Sequence, residues 1–269
     1  MNRLEAIQDR RSTRRFTSQP LTLEQLAAVR NVLRGIPALY DGHDMRAVVI
    51  EDGERVKAVM SGFVGSYGKP SAPHFVLVTA AEKPGWLENV GFAIEHAVLD
   101  MTAMGIATCW IGGQATSEVF EVADPDIPAD HTPVVVIAFG SAKTGGLLHL
   151  PRTGRKTLEE IVPDGVGDFG EALAAARLAP SAGNTQPTRF FAGSGLVDVY
   201  ANFRAPLIYR ARADHLQLMN QVDIGIALAH ISIVEKAGGR DVLIAPSDAP
   251  ERPELHYITT VRHAIQELA

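Results

Sequence analysis

The stretch from Val90 to Gly105 is long, apolar and nearly free of charge, with only Glu95 and Asp100 interrupting it. A helix of that composition has no solvent face, so it must be surrounded by other parts of the protein. A second run, Val222 to Gly238, has the same character and ends in Ala237-Gly238 where the first ends in Met104-Gly105. Two such helices in one chain predict two packed bodies built on one plan, each with its own enclosing elements.

The surrounding sequence supplies those elements. Leu4 to Asp9 reads as a short helix, and Thr22 is placed to cap a helix whose apolar positions Leu23, Leu26, Val29 and Leu33 follow the helical period. Met45 to Glu51, His74 to Ala80, Ala107 to Ile111 and Val134 to Gly140 read as strands, the second apolar on both faces. From Ser141 to Asp168 the chain is polar and rich in glycine and proline, as a surface linker is. Beyond it, Leu173-Ala174-Ala175-Ala176-Arg177 echoes Leu26-Ala27-Ala28-Val29-Arg30, so a shared order of helix, strand, long apolar helix and strand divides the chain into residues 1–163 and 164–269.

With 269 residues, nearly half of them hydrophobic, the chain can bury a substantial core. Its net charge of −6 argues against a nucleic-acid partner, despite a basic start. The single cysteine, Cys109, excludes an internal disulfide and reads as core, which fits a reducing, cytoplasmic setting. No stretch reaches the ~18 apolar residues of a membrane helix, and no signal core precedes the first charges, so no membrane partner is expected. The histidines are scattered without metal-site spacing, Gly62, Gly65 and Gly68 do not form a dinucleotide fingerprint, and Gly193-Ser194-Gly195 is not a nucleophile elbow.

Three segments carry candidate chemistry. Arg10, Arg11, Ser12, Thr13, Arg14 and Arg15 end at Phe16, and guanidinium forks with hydroxyls converging on one short turn suit a phosphate dianion, although an isolated basic run is also the composition of a solvated face. Pro180, Ser181, Ala182, Gly183, Asn184, Thr185, Gln186 and Pro187 make a polar turn after a helix, whose groups either satisfy one another or line a ring system. Trp110-Ile111-Gly112-Gly113 ends a strand with paired glycines, which either merely turn the chain or let the backbone approach a planar ligand.

In this order, and with Arg155-Lys156-Thr157-Leu158-Glu159-Glu160-Ile161 following, residues 1–163 resemble one lobe of an FMN-dependent nitroreductase, and the second half resembles another, abbreviated lobe. The whole is similar to the single-chain branch of that family, the TM nitroreductase type. The resemblance implies an α+β fold in which two pseudo-symmetric lobes replace the usual homodimer, so that the chain is expected to be monomeric. Each lobe departs from the pattern in a complementary way: Pro37-Ala38-Leu39-Tyr40-Asp41 stands where the first lobe's proline-serine-asparagine turn belongs, and Val166-Gly167-Asp168-Phe169 where the second lobe's arginine segment belongs. One complete FMN site between the lobes and one decayed site are therefore expected.

Carried over by resemblance, Arg10, Arg11, Ser12, Arg155 and Lys156 hold the phosphate, and Arg14 with Lys69 faces the pyrimidine edge of the flavin. Ile111, Gly112 and Gly113 approach N5, while Pro180, Ser181, Ala182 and Asn184 cover the ring with Gln186 nearby. The implied activity is ping-pong hydride transfer from NADH or NADPH to a small electron acceptor, a nitroaromatic or quinone, with no obligatory protein acid or base and no metal. The alternatives are a flavin-binding sensor or structural module without turnover, and a globular protein that binds no flavin.

Overall fold

The computed structural model describes residues 1–59, 71–112, 117–123, 127–143 and 154–264. Lys69, Gly113 and the glycines at 62, 65 and 68 lie outside the described residues. The chain divides into two compact units, Met1–Thr153 and Gly154–Ala269, which puts Arg155 and Lys156 in the second unit rather than the first.

The first unit opens with α1 (Arg3–Asp9) and α2 (Leu23–Arg34). Asn2 and Thr22 cap them, each with a capping box completed by Glu5 or Gln25. There follow β1 (Met45–Ile50), α3 (Gly53–Val59), β2 (His74–Ala81), α4 (Trp86–Ala103), β3 (Ala107–Ile111), α5 (Ser117–Ala123) and β4 (His131–Gly140). The strands form one antiparallel sheet in the order β1-β2-β4-β3. Every residue of β2 is buried, because both faces of this central strand are covered. Phe75 and Leu77 join Val136, Ala138, Cys109 and Ile111 in a core closed by Val56 of α3 and by Val119 and Phe120 of α5. The alternate residues Val76 and Val78 point to the opposite face by the two-residue period of a strand, where α4 packs. The enclosed character read for α4 is real: Val90, Ala93, Ile94, Ala97, Val98 and Leu99 are each 0% exposed. The helix starts earlier than its apolar run, at Trp86, since Gly85 adopts a left-handed conformation (φ 80°) that turns the chain into it.

The second unit contains α6 (Leu158–Ile161), α7 (Gly170–Ala176), β5 (Thr188–Ala192), β6 (Leu196–Ala201), α8 (Ala213–Ala237), β7 (Val242–Ala245) and β8 (His256–His263). Its sheet runs β5-β6-β8-β7, also antiparallel, so the strand order of the first unit is repeated. The repetition extends to an irregularity. Between β2 and β4 the register skips Val134, and between β6 and β8 it skips Ile258, each an extra residue beside the matching central pair of strands. A bulge shared at one place is stronger evidence of a common plan than short alanine-rich matches.

The structure also corrects the alignment of the two halves. Asn89 Oδ1 on α4 accepts the Leu39 N–H at 2.8 Å, and Asp223 on α8 accepts the Ala182 N–H at 3.0 and 2.9 Å, each two residues after a proline, Pro37 or Pro180. These caps set an offset of 134 for the long helices (223 − 89) and 143 for the turns (182 − 39). The alanine-rich echo, Leu26 with Leu173, has an offset of 147 (173 − 26) and is four residues out. A slip of about one helical turn leaves the same face buried, so the periodic pattern alone could not expose it.

Candidate functional site

The arginine segment of the first unit is not a turn. It is extended and laid along the free edge of β3, with Ser12 bridged in parallel to Thr108 and the Thr13 N–H donating to Thr108 O at 2.8 Å. Farther on, Phe16 bridges Ala142, Thr17 N donates to Ser141 O at 2.9 Å, and Lys143 N donates to Arg15 O at 3.0 Å. Arg10, which caps the end of α1 just before this pairing begins, turns inward and is 4% exposed, whereas Arg14 and Arg15 are exposed and Arg11 and Ser12 half-buried.

Arg10 is held from within. Its Nε lies 3.7 Å from Oε1 of Glu95, a carboxylate with no exposed surface, while Glu95 Oε2 accepts the Trp110 indole N–H at 3.0 Å. The other arm of the guanidinium is directed at Ser12, with Nη1 3.5 Å from Oγ. Burial pulls the Arg10 pKa below the usual arginine range, and Glu95 opposes that pull. Arg11 is tied to the end of α1, its Nη1 donating to Gln8 O at 2.6 Å and Arg10 O at 2.9 Å, as cations favour a helix C-terminus. Cys109, buried beside the charges of Arg14 and Arg10, has its thiol pushed up by desolvation, in keeping with a core role. Ile111 is buried at the end of β3, and Gly112 follows it half-exposed.

In the second unit the structure brings together Arg155, Lys156, Pro180, Ser181, Ala182, Asn184 and Gln186. Gly183, Asn184 and Gln186 take left-handed conformations, with φ of 56°, 57° and 50°. Asparagine tolerates that region and glutamine does not favour it, so the turn depends on its hydrogen bonds. Gln186 supplies most of them: Oε1 accepts from Lys156 N at 2.8 Å, Nε2 donates to Gly154 O at 2.9 Å, and its own N–H donates to Ser181 Oγ at 3.0 Å. Asn184 Nδ2 also donates to Gly154 O, at 3.0 Å. The polar side chains of the turn thus shape it by bonding within it and to residues 154–156.

Lys156 Nζ joins them, donating to Thr185 O at 3.2 Å and Gln186 O at 3.1 Å. Burial, reinforced by Arg189, pulls its ammonium down to about 8. A cavity of about 30 Å³ beneath the turn, bordered by Pro180, Ser181 and Asp223, has room for about one water and none for a flavin ring. Tyr209 covers Gly183 so closely that a β-carbon there would stand 2.7 Å from its ring. Gly183→Ala therefore combines a strained φ with a clash, and its expected cost of about 1–3 kcal/mol is measured by urea unfolding.

Three residues outside the sequence-derived set prove central: Glu95, Asn89 and Asp223. A signal for Glu95 was present, since a carboxylate inside a helix without a solvent face requires a partner. Asn89 and Asp223 stand one residue before the Val90-Gly91 and Ile224-Gly225 pairs, and only the paired turns show what they cap.

A family profile described as "Putative TM nitroreductase" matches residues 2–235. The solved structure of a "putative nitroreductase" from Thermotoga maritima MSB8 is 22% identical, and the match covers 98% of this chain and 93% of that one with a TM-score of 0.60. A nitroreductase with bound FMN from Bacteroides fragilis NCTC 9343 is 23% identical, covering 58% of this chain and 98% of its own, with a TM-score of 0.48. An FMN-dependent nitroreductase from Clostridium difficile R20291 is 18% identical, with 52% and 87% covered and a TM-score of 0.44. No curated protein matches the sequence. Among the described residues no helix is long and apolar enough to cross a membrane.

Proposed function

Because the chain belongs to the TM nitroreductase family, we propose that it is an FMN-dependent NAD(P)H oxidoreductase that reduces a small electron-poor acceptor, a nitroaromatic or a quinone. The observation that carries the reading is the arginine-serine segment laid along the β3 edge, one strand end away from Gly112. The donor types suit the group: an anionic phosphate needs cations and hydroxyls, which Arg10, Arg11 and Ser12 supply, and a flat ring needs close backbone approach, which Gly112 permits.

In this reading Arg10, Arg11 and Ser12, with Arg155 and Lys156, bind the phosphate. Arg14 places positive charge near the ring edge that becomes electron-rich, and Lys69 is assigned the same task. The backbone at Ile111, Gly112 and Gly113 orients the ring. Pro180, Ser181, Ala182 and Asn184 cover it, and Gln186 keeps their turn in shape. FMN held by these residues would supply hydride-transfer chemistry between NADH or NADPH and the acceptor, with ping-pong kinetics expected. The protein contributes binding, orientation and exclusion of water, so no side-chain acid or base is required. The proposal includes a single flavin between the lobes and a monomeric chain.

Purified protein mixed with FMN tests it. The expected result is one flavin per chain by absorbance, and NADH or NADPH oxidation that depends on added nitroaromatic or quinone, with parallel double-reciprocal plots. Two flavins per chain would remove the decayed-site element. Tight flavin binding without NAD(P)H oxidation would replace the enzyme by a flavin-binding module.

A further inference from the structure

Glu95 has no exposed surface, and neither does its counterpart on the second long helix, which at the offset of 134 (95 + 134) is Ala229. The two units share strand order, bulge and turn-capping position, yet they differ here. The fold itself therefore does not need a carboxylate at this position. What accompanies the difference is the arginine segment, which the first unit has and the second lacks. Burying a carboxylate is costly unless it is paired and hydrogen-bonded, and two partners of Glu95 belong to the proposed flavin site: Arg10 within the segment and Trp110, two residues before Gly112.

We infer that Glu95 is a positioning residue for the flavin phosphate, a role that rests on the flavin reading above. Its carboxylate faces the Nε edge of Arg10 as an ion pair at 3.7 Å, and the opposite arm of the guanidinium is aimed at Ser12. Through Trp110 the same carboxylate registers the β3 strand end against the arginine segment. Glu95 touches no ligand. It acts by holding a cation that would otherwise turn toward water.

The test separates phosphate recognition from general loss of structure. Dissociation constants for FMN and for riboflavin, which lacks the phosphate, are measured by flavin fluorescence quenching on the full chain, for wild type, Glu95→Gln, Arg10→Met and the double variant. The wild type is expected to prefer FMN. In Glu95→Gln that preference falls about tenfold while riboflavin affinity changes by less than about threefold, the scale of one charge-assisted hydrogen bond. In Arg10→Met the preference falls at least as far, and the double variant falls no further than Arg10→Met, because one residue acts through the other. Equal weakening of both flavins by Glu95→Gln, an unchanged preference, or additive losses overturn the inference. If Glu95→Gln does not fold, Trp110→Phe takes its place: a fall in preference of about threefold or more supports the role, and no fall overturns it. A wild-type chain that binds neither flavin, or shows no preference for FMN, overturns the flavin reading and this role with it. A preference that survives Glu95→Gln overturns the role alone.

Discussion

Glu95→Ala is expected to lower the unfolding free energy by about 3–5 kcal/mol, the scale on which breaking one side of a buried ion pair destabilises a protein. The loss comes from what the substitution leaves behind. Arg10 is 4% exposed and would keep its charge without the carboxylate that faces it, and the Trp110 indole N–H would lose its acceptor. Adding Arg10→Met removes the uncompensated cation and fills its volume with an unbranched apolar chain. The double variant Glu95→Ala/Arg10→Met should therefore recover at least half of the loss, with urea unfolding followed by circular dichroism as the measurement. Strictly additive losses from the two substitutions would show that the pair is not coupled.

That network also marks where sequence reasoning stopped. Strands such as β2 and β4 and the enclosed helix α4 were legible because burial on all sides writes itself as an uninterrupted apolar run, and α2 because Thr22 and the spacing of Leu26, Val29 and Leu33 are local signals. The short helices α3 and α5 were not legible. Each is seven residues long and is stabilised by packing Val56, Val119 and Phe120 against the sheet rather than by a periodic pattern of its own. The start of α8 at Ala213, ahead of the apolar run from Val222, is hidden for a related reason: its first turns carry Asp214, His215 and exposed Leu218, a mixed composition with no capping side chain at Arg212.

For the candidate site, composition singles out three segments and misjudges the geometry of the first. A run of arginines and hydroxyls gives no indication of whether it turns or extends, because edge pairing to Thr108 depends on a strand nearly a hundred residues away. The turn at Pro180 was legible as a turn from its proline, glycine and asparagine. Its dependence on Gln186, a residue that does not favour positive φ, becomes visible only with the bonds to Lys156, Gly154 and Ser181.

Asp223→Asn is expected to stabilise the protein at neutral and alkaline pH, by on the order of 1–3 kcal/mol, and to leave the Pro180 turn intact. The first unit already uses an amide for the same task, since Asn89 caps Leu39 as Asp223 caps Ala182. Burial drives the Asp223 carboxyl well above the usual carboxylate range, against the opposing pulls of the Ala182 N–H and Arg155. The sign follows from proton uptake. Between the unfolded and the raised folded value the folded chain binds the extra proton, so stability falls as pH rises through that window and stays low above it. Below the unfolded value both states are protonated, and the difference between aspartate and asparagine vanishes. Urea unfolding of wild type and Asp223→Asn from pH 3.5 to pH 8 should thus give curves that meet in acid and separate with rising pH, by an amount reduced through the lost attraction to Arg155. Curves that stay parallel would show that the carboxyl titrates normally. Asp223→Ala isolates the cap itself: it removes the same charge but leaves the Ala182 N–H without an acceptor, and it should fall about 1–3 kcal/mol below Asp223→Asn. If the turn covers the flavin, FMN affinity should follow the cap rather than the charge, retained in Asp223→Asn and weakened in Asp223→Ala.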